Sequence, residues 1–198
     1  MASSKTEIAN SALMKIGGKL ILSLDDPDKE AELCRARMDP SIKAVLAMHP
    51  WNCAMTRVSL APTVATPAFG YSYKFLLPGD CLRVLPLGSF TTEDEFDVED
   101  GHLLCNLSAI DVIYIRNVTD VSKFKPLLDE TIAGYLAWDI SYSLTQSSRV
   151  RDDAFATFRS LLGTAKSANA QEGGMKILEA NTWLESRLTY SGRKAPNV

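Results

Sequence analysis

Hydrophobic side chains change their period twice along this chain, and that change restricts the fold more than any other feature. Ala9, Ala12, Leu13 and Ile16 recur at helical spacing, as do Ile42, Val45, Leu46 and His49. From Trp51 to about Thr119 the helical period gives way to alternation, with aromatic and β-branched residues and turn dipeptides. The helical period returns with Phe124, Leu128, Ile132, Leu136, Ile140 and Leu144, and again with Ala154, Phe158, Leu161, Leu162 and Ala165. The expected fold class is therefore mainly α: a helical bundle with a small antiparallel β insert and an extended C-terminal tail. The pattern predicts helices over 4–17, 28–49, 124–146 and 150–171 and a β insert over 53–119. With 198 residues, the chain is expected to form a single domain over 1–173 followed by an extension over 174–198.

Local signals mark the boundaries. Ser3, Ser4 or Thr6 can cap the first helix, and Gly17-Gly18 stops it. Ser23 to Pro27 offers acidic caps and a proline suited to the first turn of the second helix. Pro40 removes a backbone donor and disfavours a helical Asp39, which predicts a kink or break there, and Pro50 ends the helix. Asp100-Gly101 between Glu95–Glu99 and His102–Asn106 reads as a tight hairpin turn. Cys81–Leu85 and Asp111–Arg116 read as further strands, Pro62–Gly70 as a loop or arm, and Gly173-Gly174 as the end of the last helix.

Composition narrows the class. Hydrophobic residues make up 46% and charged residues 23%, which places the chain among those that fold. No apolar run approaches the roughly 20 residues that cross a bilayer, and the polar start does not resemble a signal peptide, so a chain made in the cytosol and not inserted in a membrane is expected. Cys34, Cys53, Cys81 and Cys105 are far apart, with only His49 and His102 to join them. They read as small, partly buried apolar residues rather than a metal, redox or disulfide set, and no metal or cofactor is expected.

Catalytic signatures are thin. Adjacent carboxylates such as Asp25-Asp26 and Asp152-Asp153 point apart on a helix, and both pairs sit where helix starts favour negative charge, so they read as caps. His49 lies on an apolar stripe beside Pro50 and Trp51 and reads as a packed, satisfied histidine. Gly17-Gly18-Lys19 is only a fragment of a phosphate loop. No catalytic residue is assigned. Residues 149–198 hold 8 of the 21 Lys+Arg and 5 of the 24 Asp+Glu, which leaves a nucleic-acid-binding module as an alternative. Arg149, Arg151, Arg159 and Lys166 build no continuous stripe, however. A small hydrolase without a recognisable motif is the other alternative.

Several stretches in order carry a family resemblance. Glu7–Gly17 and Ile21–Asp26 lead into a helix ending His49-Pro50-Trp51-Asn52-Cys53-Ala54 and continuing to Arg57. Tyr71–Val84 follows, with its tyrosines, Leu77-Pro78 and Asp80-Cys81, and then Tyr114-Ile115-Arg116 and Val118-Thr119-Asp120. Over roughly residues 5–160 this resembles the tail tubular protein A family, the head-to-tail adaptors of short-tailed phages. The resemblance implies a structural protein, not an enzyme, in a homo-oligomeric ring of about twelve subunits. It implies a portal protein above, a tail tube or nozzle protein below, and passage of double-stranded DNA without sequence specificity. It places the protein in the virion at the head–tail interface, and in the host cytoplasm during assembly. A formal charge of -3 suits a channel along which DNA must slide.

A ring subunit needs anchors for unlike side contacts. Phe69, Tyr71 and Tyr73 are candidates for the subunit or tail interface, with Trp51, Trp138 and Trp183 as further exposed anchors unless the first two are core. Residues 172–198 depart from the family pattern. There Ile177, Trp183, Leu184, Leu188 and Tyr190, together with Met175 and Leu178, are interleaved with Lys176, Arg187, Arg193 and Lys194. This is more apolar surface than a solvated tail needs. Related adaptors often grip the portal with C-terminal extensions, so these five residues are expected to dock on the portal with Trp183 as anchor; the alternative is that they fold back on the chain's own helices.

Overall fold

A computed structural model describes residues 4–88 and 95–172. Helix α1 spans Lys5–Lys15 and begins with a capping box. Ser4 Oγ accepts from Glu7 N at 3.1 Å, while Ser4 N donates to Glu7 Oε2 at 2.8 Å. The helix stops at Gly17-Gly18 as expected, with Gly18 N bonded to Leu13 O at 2.8 Å. Asn10 then pairs through its amide with both backbone groups of Ile21 at 2.9 Å, pinning Ile21 into the core.

Helix α2 spans Lys29–Met48 and runs through Pro40 as one helix, so of the kink or break expected there the break does not occur. The missing donor frees the carbonyl of Ala36, and both Pro40 and Ala36 are exposed, so water can satisfy it. Cys34, Met38, Ile42 and Val45, from both sides of the proline, remain buried in the core. Pro27 precedes the helix, and Asp28 is the N-cap residue, its carboxylate accepting from Lys19 Nζ at 2.8 Å rather than from the helix backbone.

Two sheets of three strands follow, and they overturn the mainly α assignment: the chain is α+β, about half helix and about a fifth strand. In the first sheet β6 (Ile110–Arg116) lies between β1 (Met55–Leu60) and β3 (Cys81–Gly88), all antiparallel. In the second, β5 (His102–Cys105) lies between β2 (Tyr73–Leu76) and β4 (Phe96–Glu99). The β4–β5 hairpin turns at Asp100 and Gly101 with φ 47° and 70°, the left-handed pair that the dipeptide predicts.

The middle strand joins the β region to the helical core. Because side chains alternate along a strand, Ile113 and Ile115 of β6 pack into the helical core. Ile110, Val112 and Tyr114 face a second cluster around Phe75 and Leu103. The first sheet is thus a central layer, with helices on one side and the second sheet on the other.

Helix α3 (Pro126–Thr145) starts on Pro126 after a short 3-10 turn and contacts α1, α2 and α4. Its low amphipathicity follows from that position, since Leu128, Thr131, Ile132, Ala133, Leu136, Ala137 and Ile140 are buried around its circumference. Only Gln146 and Ser147 connect it to α4 (Ser148–Gln171), which Ser147 caps by accepting from Val150 N. The two helices cross closely at Gly134, where a Cβ would meet Leu161 Cδ1 at 3.1 Å and Phe158 Cα at 3.4 Å. Among the described residues no helix is long and apolar enough to cross a membrane.

Candidate functional site

Two surfaces stand out: the loop between β1 and β2, and a cleft at the end of α4. Residues 61–72 of the loop form neither helix nor strand, in keeping with the loop or arm expected there. The loop is tied at its base by Thr63, whose N and Oγ1 donate to Lys74 O at 2.7 and 2.9 Å. Ser72 N donates to Asn106 Oδ1 at 3.0 Å. Phe69 is 88% exposed on it, whereas Tyr73 lies in β2 against the second cluster. Tyr71 is held by its hydroxyl, which donates to Asp97 Oδ2 at 2.8 Å. That bond, followed by partial desolvation and the charges of Asp97, Glu95 and Glu99, pushes the phenol up to about 12. The three candidate interface residues therefore divide into one presented ring and two that brace the segment carrying it. Ile177, Trp183, Leu184, Leu188 and Tyr190 lie outside the described residues.

The cleft has a volume of about 210 Å³ and lies between the turn after α2, the start of α3 and the end of α4. Its inner wall is Trp51, 2% exposed, whose indole N–H donates to Val45 O at 2.9 Å. Trp51 is thus core, while Trp138 is half-buried against Tyr135 and Phe155. Asn169 of α4 crosses the cleft mouth. Its carbonyl accepts from Asn52 N at 3.0 Å, and its amide lies 3.2 Å from His49 Nε2 and 3.3 Å from Pro50 O. Burial first, and then Lys166 and Arg83, lower the His49 pKa, so a neutral ring can accept that amide. His49 also packs edge-on against Trp51 with centroids 4.8 Å apart, the satisfied histidine that its position predicts. Lys125 Nζ meets Glu172 Oε1 at 2.7 Å on the rim. Nothing in the sequence marks Asn52 and Asn169 as partners, because residues so far apart become neighbours only through the packing of α4.

Burial and the charge of Glu30 push the Cys34 thiol up to about 11, and burial raises Cys53 and Cys81 as well, so none of the three is an activated thiolate at neutral pH. Cys34 and Cys105 are buried and Cys53 and Cys81 half-buried, matching their reading as small apolar residues. Asp26 caps no helix: its carboxylate accepts from Leu22 N and Ser23 N in the loop. Asp152 and Asp153 lie beyond the first turn of α4, which begins two residues earlier than its periodicity suggests, so the capping role expected for them fails too. Among the described residues no three His, Cys, Asp or Glu side chains converge as a metal site.

Two stretches that carry the family resemblance meet in space. Tyr114 Oη donates to Asp80 Oδ1 at 3.1 Å and Asn117 N donates to Asp80 O at 2.7 Å, joining Asp80-Cys81 to the end of β6. Neither models of known families nor curated proteins match this chain.

Proposed function

We propose that the chain is a structural head-to-tail adaptor of a tailed phage, forming a ring of about twelve subunits beneath the portal. It joins the capsid to the tail and lines the channel through which double-stranded DNA leaves. The observation that carries this reading is a pair of unlike apolar surfaces. Met14, Leu20 and Leu22, the last 95% exposed, surround the connection from α1 to α2, beside the helical core. Val64 and Phe69 are exposed on the loop that leads into the second sheet. Head-to-tail contacts around a ring require two such different faces, because each subunit offers one to the neighbour on its left and the other to the neighbour on its right. In this reading Phe69 meets a neighbour or the tail, Tyr71 and Tyr73 hold its loop in place, and Ile177, Trp183, Leu184, Leu188 and Tyr190 grip the portal. The order of the resembling stretches from Glu7 to Asp120 supports the same assignment.

Mixing the purified chain with its portal and measuring mass and subunit count by electron microscopy tests the reading. A ring of about twelve is expected. Val64→Asp combined with Phe69→Asp should leave the far-UV spectrum unchanged and abolish the ring. A different subunit count, or no portal complex with the unaltered chain, overturns it.

A further inference from the structure

The cleft beside α4 has apolar walls and sits where the chain leaves the helix. Glu172 stands on its rim, held by Lys125 and facing Asn52 Nδ2 at 3.5 Å. Met175 is three residues further on and Leu178 six, within about 10 and 20 Å of extended backbone. Between them and the rim lies Gly173-Gly174, a pair able to take the positive φ values that a chain reversal requires. We infer that the cleft is the docking site for the root of this chain's own C-terminal segment, with Met175 and Leu178 filling it against Trp51, Leu128, Ala165 and Ala168.

Size and spacing favour this occupant. A cleft of about 210 Å³ admits individual side chains but not the body of a partner's helix, about 10 Å across. Covering its walls gains roughly 25 cal/mol per Å² of apolar surface removed from water, and a tethered segment loses less freedom on docking than a separate molecule. At helical spacing Ile177, Leu184 and Leu188 share one face, while Met175 and Leu178 fall on the other. Docking the root therefore leaves three of the five proposed portal-binding side chains, Ile177, Leu184 and Leu188, outward. The inference does not depend on the adaptor reading, since it concerns the chain alone.

Cys53 lines the cleft and reports on it directly. In the full chain carrying Leu178→Cys, mild oxidation should join the introduced thiol to Cys53 within one chain, about tenfold faster than a thiol introduced as Lys176→Cys. Alkylation of Cys53, followed by peptide mapping, should be about tenfold faster in a Met175→Asp, Leu178→Asp chain than in the unaltered one. If that double variant fails to fold by its far-UV spectrum, the cross-link alone decides. Links that form only between chains, equal rates for the two introduced thiols, or equal alkylation of a folded double variant would each overturn the inference.

Discussion

The helical core and the second sheet lean on opposite faces of the same strand, yet they are built on different scales. On the helical side, Leu13, Met38, Leu46, Ile132, Leu136 and Ile140 are fully buried, drawn from three helices that also pair across their surfaces, as Arg37 does with Asp139 and Lys15 with Glu130, both at 2.5 Å. On the other side, Phe75 and Leu103 are the large, fully buried side chains that the second sheet contributes, and they depend on Val112 and Tyr114 of β6 for cover. A small three-stranded sheet of short strands has little stability of its own and needs a packed face. The contrast teaches that one fold can join a large core to a small one across a single strand, and that the β1–β2 loop, with exposed Val64 and Phe69, leads into the smaller one.

The largest effects should come from emptying each core in turn. Phe75→Ala should cost about 3–5 kcal/mol and Ile132→Ala about 2–5 kcal/mol. They should differ in reach. Amide exchange in Phe75→Ala should quicken in β2, β4 and β5 well before α3, whereas Ile132→Ala should quicken every region alike. Equal loss of protection in α3 for both variants would break the comparison and make the two clusters a single unit.

A smaller effect of opposite sign sharpens it. Pro40→Ala restores the donor to an exposed stretch of α2 and should raise stability by about 1–3 kcal/mol, read from the denaturant midpoint with an unchanged slope. Lower stability would mean that the helix needs the proline's fixed φ. The smallest effect concerns Glu130, whose carboxyl burial pushes up but which the Lys15 ammonium and the Ser11 hydroxyl hold below its usual range. A depressed carboxylate contributes stability above its unfolded pKa of about 4.3 and loses it as the pH falls through the folded value. Glu130→Gln should thus cost up to about 1 kcal/mol at pH 7, since the pair is partly solvated, and close to nothing near pH 3. An equal cost at both values would show that shape rather than charge joins α1 to α3.

How much of this was legible in the sequence varies by signal. The Ser4–Glu7 box, the Gly17-Gly18 stop, the Asp100-Gly101 turn and the apolar ladder of α3 act within a few residues and could be read directly. At Pro40 the break that the missing donor suggests does not occur, because the freed Ala36 carbonyl is exposed to water, and that exposure is a tertiary fact. The Asp152-Asp153 pair misled because a start shifted to Ser148 removes it from the first turn. On the β1–β2 loop, Phe69 is exposed, while the bracing of Tyr71 by Asp97 joins residues that alternation alone cannot relate.

By itself, then, the sequence determined where chain direction and period change, because caps, turns and amphipathic repeats are set by neighbours a few positions apart. Only the tertiary structure decided that β6 is buried on both faces, that the β region is two sheets forming a central and an outer layer, and that Asn169 closes a cleft against His49, Pro50 and Asn52. Each of these depends on which surfaces meet. Burial on a second face leaves no period in a strand already rich in aliphatic side chains, and a hydrogen bond between distant residues leaves no mark in either.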